Sequence, residues 1–214
     1  MAIQARGQAS RLAILVAAAE VFDETGFTNT SLVDVITRAA VSNGRFAYHF
    51  PTKESLASAL IETADKAIAD TMERILTTSA STALEGLIRA SFAVADLALS
   101  DPVVRVGLQL RHGLGQLSSA DAAGMATQRT LVNDAIAAAV AEGDLRGDFT
   151  PEQLGHALLS AMVGNHLQSP PAGATVSSGL AVCWQVLLRG VVTEQSAGYF
   201  EQFVSRLGKV KARA

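Results

Sequence analysis

A short segment of the chain, residues 43–53, is rich in side chains that can bind nucleic acid. An arginine can donate two hydrogen bonds to the O6 and N7 atoms of guanine, and an asparagine amide can contact a base edge or a phosphate. Tyrosine, histidine and lysine suit phosphate oxygens, which position a protein on DNA without specifying its sequence. A glycine lets the backbone approach a ligand closely. These candidate residues are Asn43, Gly44, Arg45, Tyr48, His49 and Lys53.

Two short helices are predicted to position this segment, and the first begins at Ser31. Ser31 and Asp34 form the S-x-x-D pattern of a helix start. Apolar residues then recur at helical spacing until about Ala40, and they are Leu32, Val35, Ile36 and Ala39. Thr30, just before this start, can offer a hydroxyl to a phosphate at the helix N-terminus.

The second helix is predicted to begin after Ser42, which can cap it and can also offer a hydroxyl to DNA. It runs to about Phe50, because Pro51 cannot continue a helix. A helix of about two turns is marginal in water on its own, so Val41, Phe46 and Phe50 must hold it by packing. The pattern predicts a helix-turn-helix with the candidate side chains on its outer face. The alternative interpretations are a solvated surface charge for Arg45 and a turn residue for Asn43.

Charge restricts how such a segment would bind DNA. The chain of 214 residues has a formal net charge of −3, so it is not a generally basic nucleic-acid binder. Within residues 1–53, arginines and lysine outnumber acidic residues by one. Affinity for DNA must therefore come from a few placed cations and from helix N-termini.

The remainder of the chain is predicted to be all-α. Hydrophobic residues make up 49% of the sequence and aromatic residues only 5%, with alanine and leucine dominant, which favours helices. Proline, glycine and serine positions divide this part into helices. The predicted helices cover about 52–78, 82–99, 102–112, 120–142, 151–167, 176–192 and 196–207, with a loop at 169–173 and a frayed tail at 209–214.

Catalytic and metal-binding patterns are not found in the sequence. His112, His156 and His166 are scattered rather than set at metal-ligand spacing, and no nucleophile, P-loop or dinucleotide motif occurs. Cys183 lies in an apolar run and is predicted to be a buried, inert thiol. We expect no catalytic residues, no metal and no cofactor.

Membrane association is also not expected. No run of about 20 apolar residues is present to span a bilayer. The segment 6–19 imitates a signal peptide, but its apolar spacing continues past Glu20, as in an amphipathic helix. We expect a cytoplasmic protein.

The segment from Arg11 to Leu56 resembles the DNA-binding domain of TetR-type repressors. The matching features are an alanine-rich first helix ending in Phe22-x-x-x-Gly26-Phe27, then Thr30-Ser31, Val41-Ser42-x-Gly44 and Tyr48-His49-Phe50-x-x-Lys53-x-x-Leu56. Most helix-turn-helix members carry an aromatic residue where this chain has Ala47. The resemblance therefore implies that Tyr48 takes that role or that Ala47 contacts a thymine methyl group.

The resemblance implies a DNA-binding domain at residues 1–52 and a ligand-binding and dimerisation domain at 53–214. The helices at 151–167 and 176–192 are apolar on too many sides to face water. Plain core packing would explain this, and so would a two-fold interface to which each subunit of a homodimer contributes this helix pair. The resemblance implies the second arrangement, because a helix-turn-helix protein reads two half-sites of double-stranded DNA as a dimer.

Two further segments resemble the γ-butyrolactone receptor branch of the TetR family. They are Asp101-Pro102-Val103-Val104-Arg105-x-Gly107-Leu108-x-Leu110 and Trp184-x-x-Leu187-Leu188-Arg189-Gly190-Val191. In that branch a pocket tryptophan lies on the helix matching residues 120–142, and its place here falls near Gln128. A polar amide there would suit a butyrolactone, furan or butenolide signal. The implied pocket residues are Phe92, Leu110, Met125, Gln128, Met162 and Trp184, although plain core packing is an equal interpretation for Trp184.

The sequence therefore favours a homodimeric repressor that a small signalling molecule releases from its operator, in a setting such as antibiotic production. Two alternatives remain. One is a helical-bundle enzyme that keeps a DNA-binding-like head, which the missing catalytic pattern disfavours. The other is a family member that binds DNA but no ligand.

Overall fold

The computed structural model describes residues 2–78, 82–114, 119–168 and 173–211. Over these residues the chain forms helices joined by short turns, so the all-α prediction is confirmed. The described residues contain one isolated β-bridge, between Leu145 and Val192. The helices are α1 Ala2–Thr25, α2 Leu32–Ala39, α3 Asn43–His49, α4 Lys53–Leu76, α5 Ala83–Ser100, α6 Pro102–Leu114, α7 Ser119–Ala141, α8 Pro151–Gln168, α9 Gly173–Val191 and α10 Glu194–Lys211.

The turn between α2 and α3 forms for local reasons. The Ser31 hydroxyl accepts a hydrogen bond from the Asp34 backbone N–H, and the Asp34 carboxylate accepts one from the Ser31 backbone N–H at 2.9 Å. This reciprocal box fixes the start of α2 as predicted and lowers the pKa of Asp34 through hydrogen bonds from Ser31. Ala40 ends the helix in the left-handed region, with φ of 52°. This residue ends α2, and Ser42 caps α3 two residues later.

The chain divides into two compact units, of which the first comprises Met1–Ala67 and Ser100–Gly124. Its core is formed by one face each of α1, α4 and α6, together with Val35, Phe46 and Phe50. Gly107 allows α6 to approach α4 closely, since a Cβ atom at that position would lie 2.8 Å from the Leu60 carbonyl oxygen. The helix-turn-helix is therefore one part of a larger packed unit.

Ion pairs join the helices of this first unit. Arg38 on α2 donates to Glu24 of α1 at 2.7 Å and to Glu20 at 3.1 Å, and its hydrogen bonds lower the pKa of the Glu24 carboxyl. Arg105 on α6 contacts Asp23 of α1 at 2.9 Å. These pairs are solvent-exposed to differing degrees, so they orient the helices more than they stabilise the unit.

The second unit comprises Ile68–Leu99 and Met125–Ala214. The Asn165 side-chain amide on α8 donates to the Val176 carbonyl of α9 at 3.0 Å. Gly179 lies against that asparagine, with no room for a Cβ atom. Gly179 thus lets α9 approach the Asn165 side chain of α8 closely.

The predicted domain boundary at 52/53 does not coincide with the boundary between the two compact units. The first unit also includes α6 and the first part of α4. A functional boundary at 52/53 stays a prediction. The predicted loop at 169–173 and the end of the predicted tail lie largely outside the described residues. No helix in the described part of the chain is both long enough and apolar enough to cross a membrane.

Candidate nucleic-acid interface

Helix α3 is held at both ends and anchored by one aromatic ring. The Ser42 hydroxyl accepts a hydrogen bond from the Arg45 backbone N–H at 3.3 Å, and the Phe50 N–H donates to the Phe46 carbonyl at 2.8 Å. The Phe46 side chain is only 2% exposed. Phe50 is equally buried, and Val41 packs against the same cluster. The packing predicted for this short helix is confirmed.

The outer face of α3 consists of the residues predicted to bind DNA. Asn43, Gly44, Arg45 and Ala47 are exposed, and Tyr48 is 84% exposed. Apart from the chain neighbours and the backbone of α3 itself, no atom of the described residues lies within 4 Å of the place of a Cβ atom at Gly44, so a ligand backbone could approach there. The face is therefore accessible.

Lys53, at the start of α4, is positioned by the turn that precedes α2. Its Nζ atom lies 4.5 Å from the centre of the Phe27 ring and donates to the Thr28 carbonyl oxygen at 3.2 Å. An ammonium group has three N–H donors, so it can bind a phosphate oxygen as well. The sequence pattern does not reveal that Phe27 has this supporting role. The only signal for it is the Gly26-Phe27 pair shared with the resembling family.

Thr30 and Ser42 differ in what their hydroxyls contact. Thr30 is only 5% exposed, and its hydroxyl donates to the Gly26 carbonyl at 2.9 Å and lies 2.6 Å from the Thr25 hydroxyl. It therefore stabilises the turn between α1 and α2, and its position argues against the predicted contact with DNA. Ser42 is exposed but caps α3.

The predicted ligand-binding residues are divided between the two units. Leu110 lies in the core of the first unit, beside residues of α1 and α4. In the second unit, Phe92 and Trp184 are buried, Gln128 is 7% exposed, and the two methionines are half-buried. The two methionines are Met125 and Met162.

Trp184 has a polar partner inside the second unit. Its indole N–H donates to the Ser91 hydroxyl at 2.7 Å, and that hydroxyl donates to the Ile88 carbonyl oxygen at 2.7 Å. A buried indole needs such a partner for its N–H. The bond fixes the ring between α5 and α9, so that Trp184 would offer a ligand only its apolar surface.

An open cleft of about 430 Å³ lies on the surface of the second unit, between α9 and α10. It contains none of the predicted ligand-binding residues, and polar residue types line it. Its lining residues are Gln185, Arg189, Glu201, Gln202, Ser205 and Arg206. Among the described residues there is no group of three or more histidine, cysteine, aspartate or glutamate side chains able to hold a metal ion.

Helices α8 and α9 expose apolar side chains, as the two-fold interface hypothesis requires. Val182 and Val186, one turn apart on α9, are 56% and 66% exposed, and Leu167 on α8 is also exposed. Cys183, predicted to be buried, is half-buried. These exposed side chains are apolar, and an interface at this face stays a prediction.

Family models match most of the chain. Residues 14–60 match the model described as bacterial regulatory proteins of the tetR family. Residues 81–193 match the C-terminal domain described as tetracyclin repressor-like. The two matches place the helix-turn-helix and the helical body in one family.

Curated relatives match less than a third of this chain. The A-factor receptor protein of Streptomyces griseus is 37% identical over 62 residues, 29% of this chain and 22% of the relative. The regulator UidR of Escherichia coli K12 is 39% identical over 59 residues, 28% of this chain and 30% of the relative. The aligned part therefore spans less than a third of the length of these relatives.

Solved structures match nearly the whole chain. A γ-butyrolactone receptor described as an ArpA-like protein has a TM-score of 0.78 and 25% identity, covering 95% of this chain and 98% of that one. CprB from S. coelicolor A3(2) has a TM-score of 0.79 and 26% identity, with the same coverage. A structure of CprB with its operator sequence gives 0.78 and 26%, covering 98% and 100%. Together with the family models, these matches show that the chain belongs to the TetR family of bacterial regulatory proteins.

Proposed function

We propose that this protein is a homodimeric transcriptional repressor that binds a palindromic operator through α3 and leaves it when a small signalling molecule binds. The observation that carries the proposal is the outer face of α3, where Asn43, Gly44, Arg45, Ala47 and Tyr48 are exposed above the buried Phe46. The similar protein CprB, whose structure was solved with its operator sequence, supports the same use of this domain here.

The roles of the individual side chains follow from their chemistry. Arg45 and Asn43 contact base edges in the major groove. Tyr48, His49 and Lys53 contact phosphates and set the position of α3 on the duplex. Thr30 has no part in this contact, because its hydroxyl is buried in the α1–α2 turn. Two copies of α3 would enter major grooves one turn apart or a small multiple of it, with roughly 34 Å per turn.

The proposed homodimer uses α8 and α9. The exposed stripe of Val182 and Val186 on α9, with Leu167 on α8, is apolar. Covering it with the same stripe of a second copy forms a two-fold interface, and the pair of copies provides the two copies of α3 that a palindrome requires.

The proposed ligand binds in the second unit beside Phe92, Gln128 and Trp184. An apolar wall with one amide suits a γ-butyrolactone, a furan or a butenolide, each of which has an apolar chain and an oxygen acceptor. The similarity to γ-butyrolactone receptors supports this class of ligand. Helix α4 contributes residues to both units and is the proposed route by which the ligand affects α3.

The energy needed for release is within reach of a small ligand. Moving an equilibrium from 1:99 to 99:1 takes about 5.5 kcal/mol of differential affinity. Two binding sites in a dimer would each supply under about 3 kcal/mol. By linkage, operator DNA must then weaken ligand binding by the same factor by which the ligand weakens DNA binding.

Arg45→Ala tests the base contact. We expect the substitution to cost about 1–3 kcal/mol on the operator and to relax the preference at one base pair in each half-site. The measurement is fluorescence anisotropy with the operator and with a full set of single-base variants.

Lys53→Ala is the matched control for a phosphate contact. It should weaken binding to all sequences about equally and lower the magnitude of the salt slope by about one unit per half-site. A uniform loss in Arg45→Ala as well would place Arg45 on a phosphate. If neither the native protein nor any variant distinguishes operator from unrelated DNA, the proposed function is wrong.

Gln128→Ala tests the ligand site. The variant should respond at least about 10-fold more weakly to a γ-butyrolactone, a furan or a butenolide, because a buried hydrogen-bond partner of the ligand is lost. Its operator affinity without ligand should stay within about twofold of the native value, since Gln128 belongs to the second unit and is not among the residues proposed to contact DNA.

The control for this variant is Gln202→Ala, which removes an exposed amide from α10. Titration calorimetry with each compound and operator binding in its presence give the two readouts. A loss of DNA affinity in Gln128→Ala would make Gln128 a structural residue. If none of these compounds changes operator binding by the native protein, the protein is a family member that binds DNA but does not respond to this class of ligand.

A further inference from the structure

The structure changes which cations of the first unit are available to DNA. Arg38, which counts toward the net charge of residues 1–53, forms ion pairs with Glu20 and Glu24. Its positive charge is thereby largely balanced within the protein. Arg11 and Lys53 are instead each placed over an aromatic ring, Phe50 and Phe27 respectively.

Arg11 lies on the face of α1 that packs into the core further along the helix, about one turn before the first buried residues. It is four residues before Leu15 and seven before Ala18, both of which are buried, and this spacing puts the three on one helix face. The Arg11 guanidinium carbon lies 5.3 Å from the centre of the Phe50 ring, yet the residue as a whole is exposed.

A cation–π contact of this kind orders an arginine. A guanidinium group carries five N–H donors, and attraction to the face of a ring leaves donors for other partners. Because Arg11 is exposed, it can still donate to an oxygen. A phosphate, with charge and several acceptors, is the partner that a planar arginine matches best.

The ring beneath Arg11 connects it to the exposed end of α3. The ring centres of Phe50 and His49 are 6.3 Å apart, and those of His49 and Tyr48 are 5.1 Å apart. Arg11 thus lies against the ring of the residue that caps the C-terminal end of α3, next in sequence to His49. Lys53 shows the same construction on the ring of Phe27.

We propose that Arg11 is a further phosphate-contacting residue of the DNA interface, ordered by the Phe50 ring beside the C-terminal end of α3. The proposal depends on the proposed DNA-binding function and adds α1 to the elements that touch the duplex. Because phosphates are the same in every DNA sequence, the proposed Arg11 contact would contribute equally to the binding of any sequence.

The test is Arg11→Met, which keeps an apolar chain on Phe50 and removes the charge. Affinity for operator and for a scrambled duplex of equal length is measured across a series of salt concentrations. We expect the magnitude of the salt slope to fall by about one unit per half-site. When the salt concentration is lowered from 200 mM to 50 mM, the ratio of native to variant affinity should rise about threefold to fourfold per half-site.

Two controls separate this contact from a structural role. Arg11→Lys retains the charge and should restore most of the salt slope, although it lacks the planar fork. Arg74→Met removes an arginine from the last turn of α4 and should leave the slope unchanged. If Arg11→Met unfolds, the comparison of Arg11→Gln with Arg11→Lys provides the same readout.

The outcomes discriminate between the two proposals. A salt slope in Arg11→Met equal to that of the native protein overturns the role of Arg11, and so does a loss confined to the operator sequence. Native protein that binds neither duplex overturns the proposed DNA-binding function itself. A lower slope with equal losses on both duplexes supports the phosphate contact.

Discussion

Replacing Val186 by glutamate is expected to separate the protein into monomers and to lower operator affinity by at least about 100-fold. Val186 is 66% exposed in a single chain, so a carboxylate there costs the folded monomer little. In the proposed homodimer the same carboxylate would be buried without a partner, which costs several kcal/mol. Each monomer then keeps one copy of α3 and loses the gain from binding two half-sites together.

Sedimentation velocity and operator titration of the same sample measure both effects. Ala138→Glu adds the same charge to an exposed position on α7 and should remain dimeric. Leu187→Glu disrupts the same helix, but Leu187 is half-buried within its own chain, so loss of folding and loss of assembly would be mixed. A Val186→Glu protein that sediments as the native dimer would exclude this face from the interface.

Phe46→Ala is expected to cost about 3–5 kcal/mol of stability, because it removes a buried ring and leaves a cavity. Phe46 is the anchor that attaches α3 to the core, and a helix of this length does not persist in water alone. The variant should therefore lose operator binding together with the stability of its first unit. Urea unfolding followed by circular dichroism measures the loss.

Tyr48→Ala provides the matched comparison, since it removes an aromatic ring from the same helix at an exposed position. Its stability should change by no more than about 0.5 kcal/mol, while its affinity should fall on all DNA sequences alike. Equal destabilisation by the two substitutions would contradict the assignment of Phe46 as anchor and Tyr48 as contact.

The helix-turn-helix could be predicted closely because its signals are local. The Ser31–Asp34 box fixes the start of α2, the Ser42 cap fixes the start of α3, and Pro51 limits its end. Each signal acts over three or four residues, so it is visible in the sequence without knowledge of the tertiary structure. The bounds of the later helices also lie within a few residues of the prediction for the same reason.

What could not be predicted depends on contacts between distant parts of the chain. The ion pairs of Arg38 join residues 14 and 18 positions apart in sequence, and the ring beneath Lys53 is that of Phe27. The Thr30 hydroxyl contacts Gly26 and Thr25, four and five residues away, but no sequence motif indicates that it turns inward. The same limit applies to Leu110, since sequence spacing does not reveal which core an apolar residue of α6 joins.

The close approach of α6 and α4 at Gly107 has a mechanical consequence. Side chains normally separate two packed helices, and changes in their rotamers can absorb small shifts. At Gly107 the α6 backbone lies directly against the Ala64 methyl group and the Leu60 backbone, so there is no side chain with alternative rotamers to take up such a shift. A displacement of α6 toward α4 must therefore move α4 itself, which makes this crossing a stiff joint within the first unit.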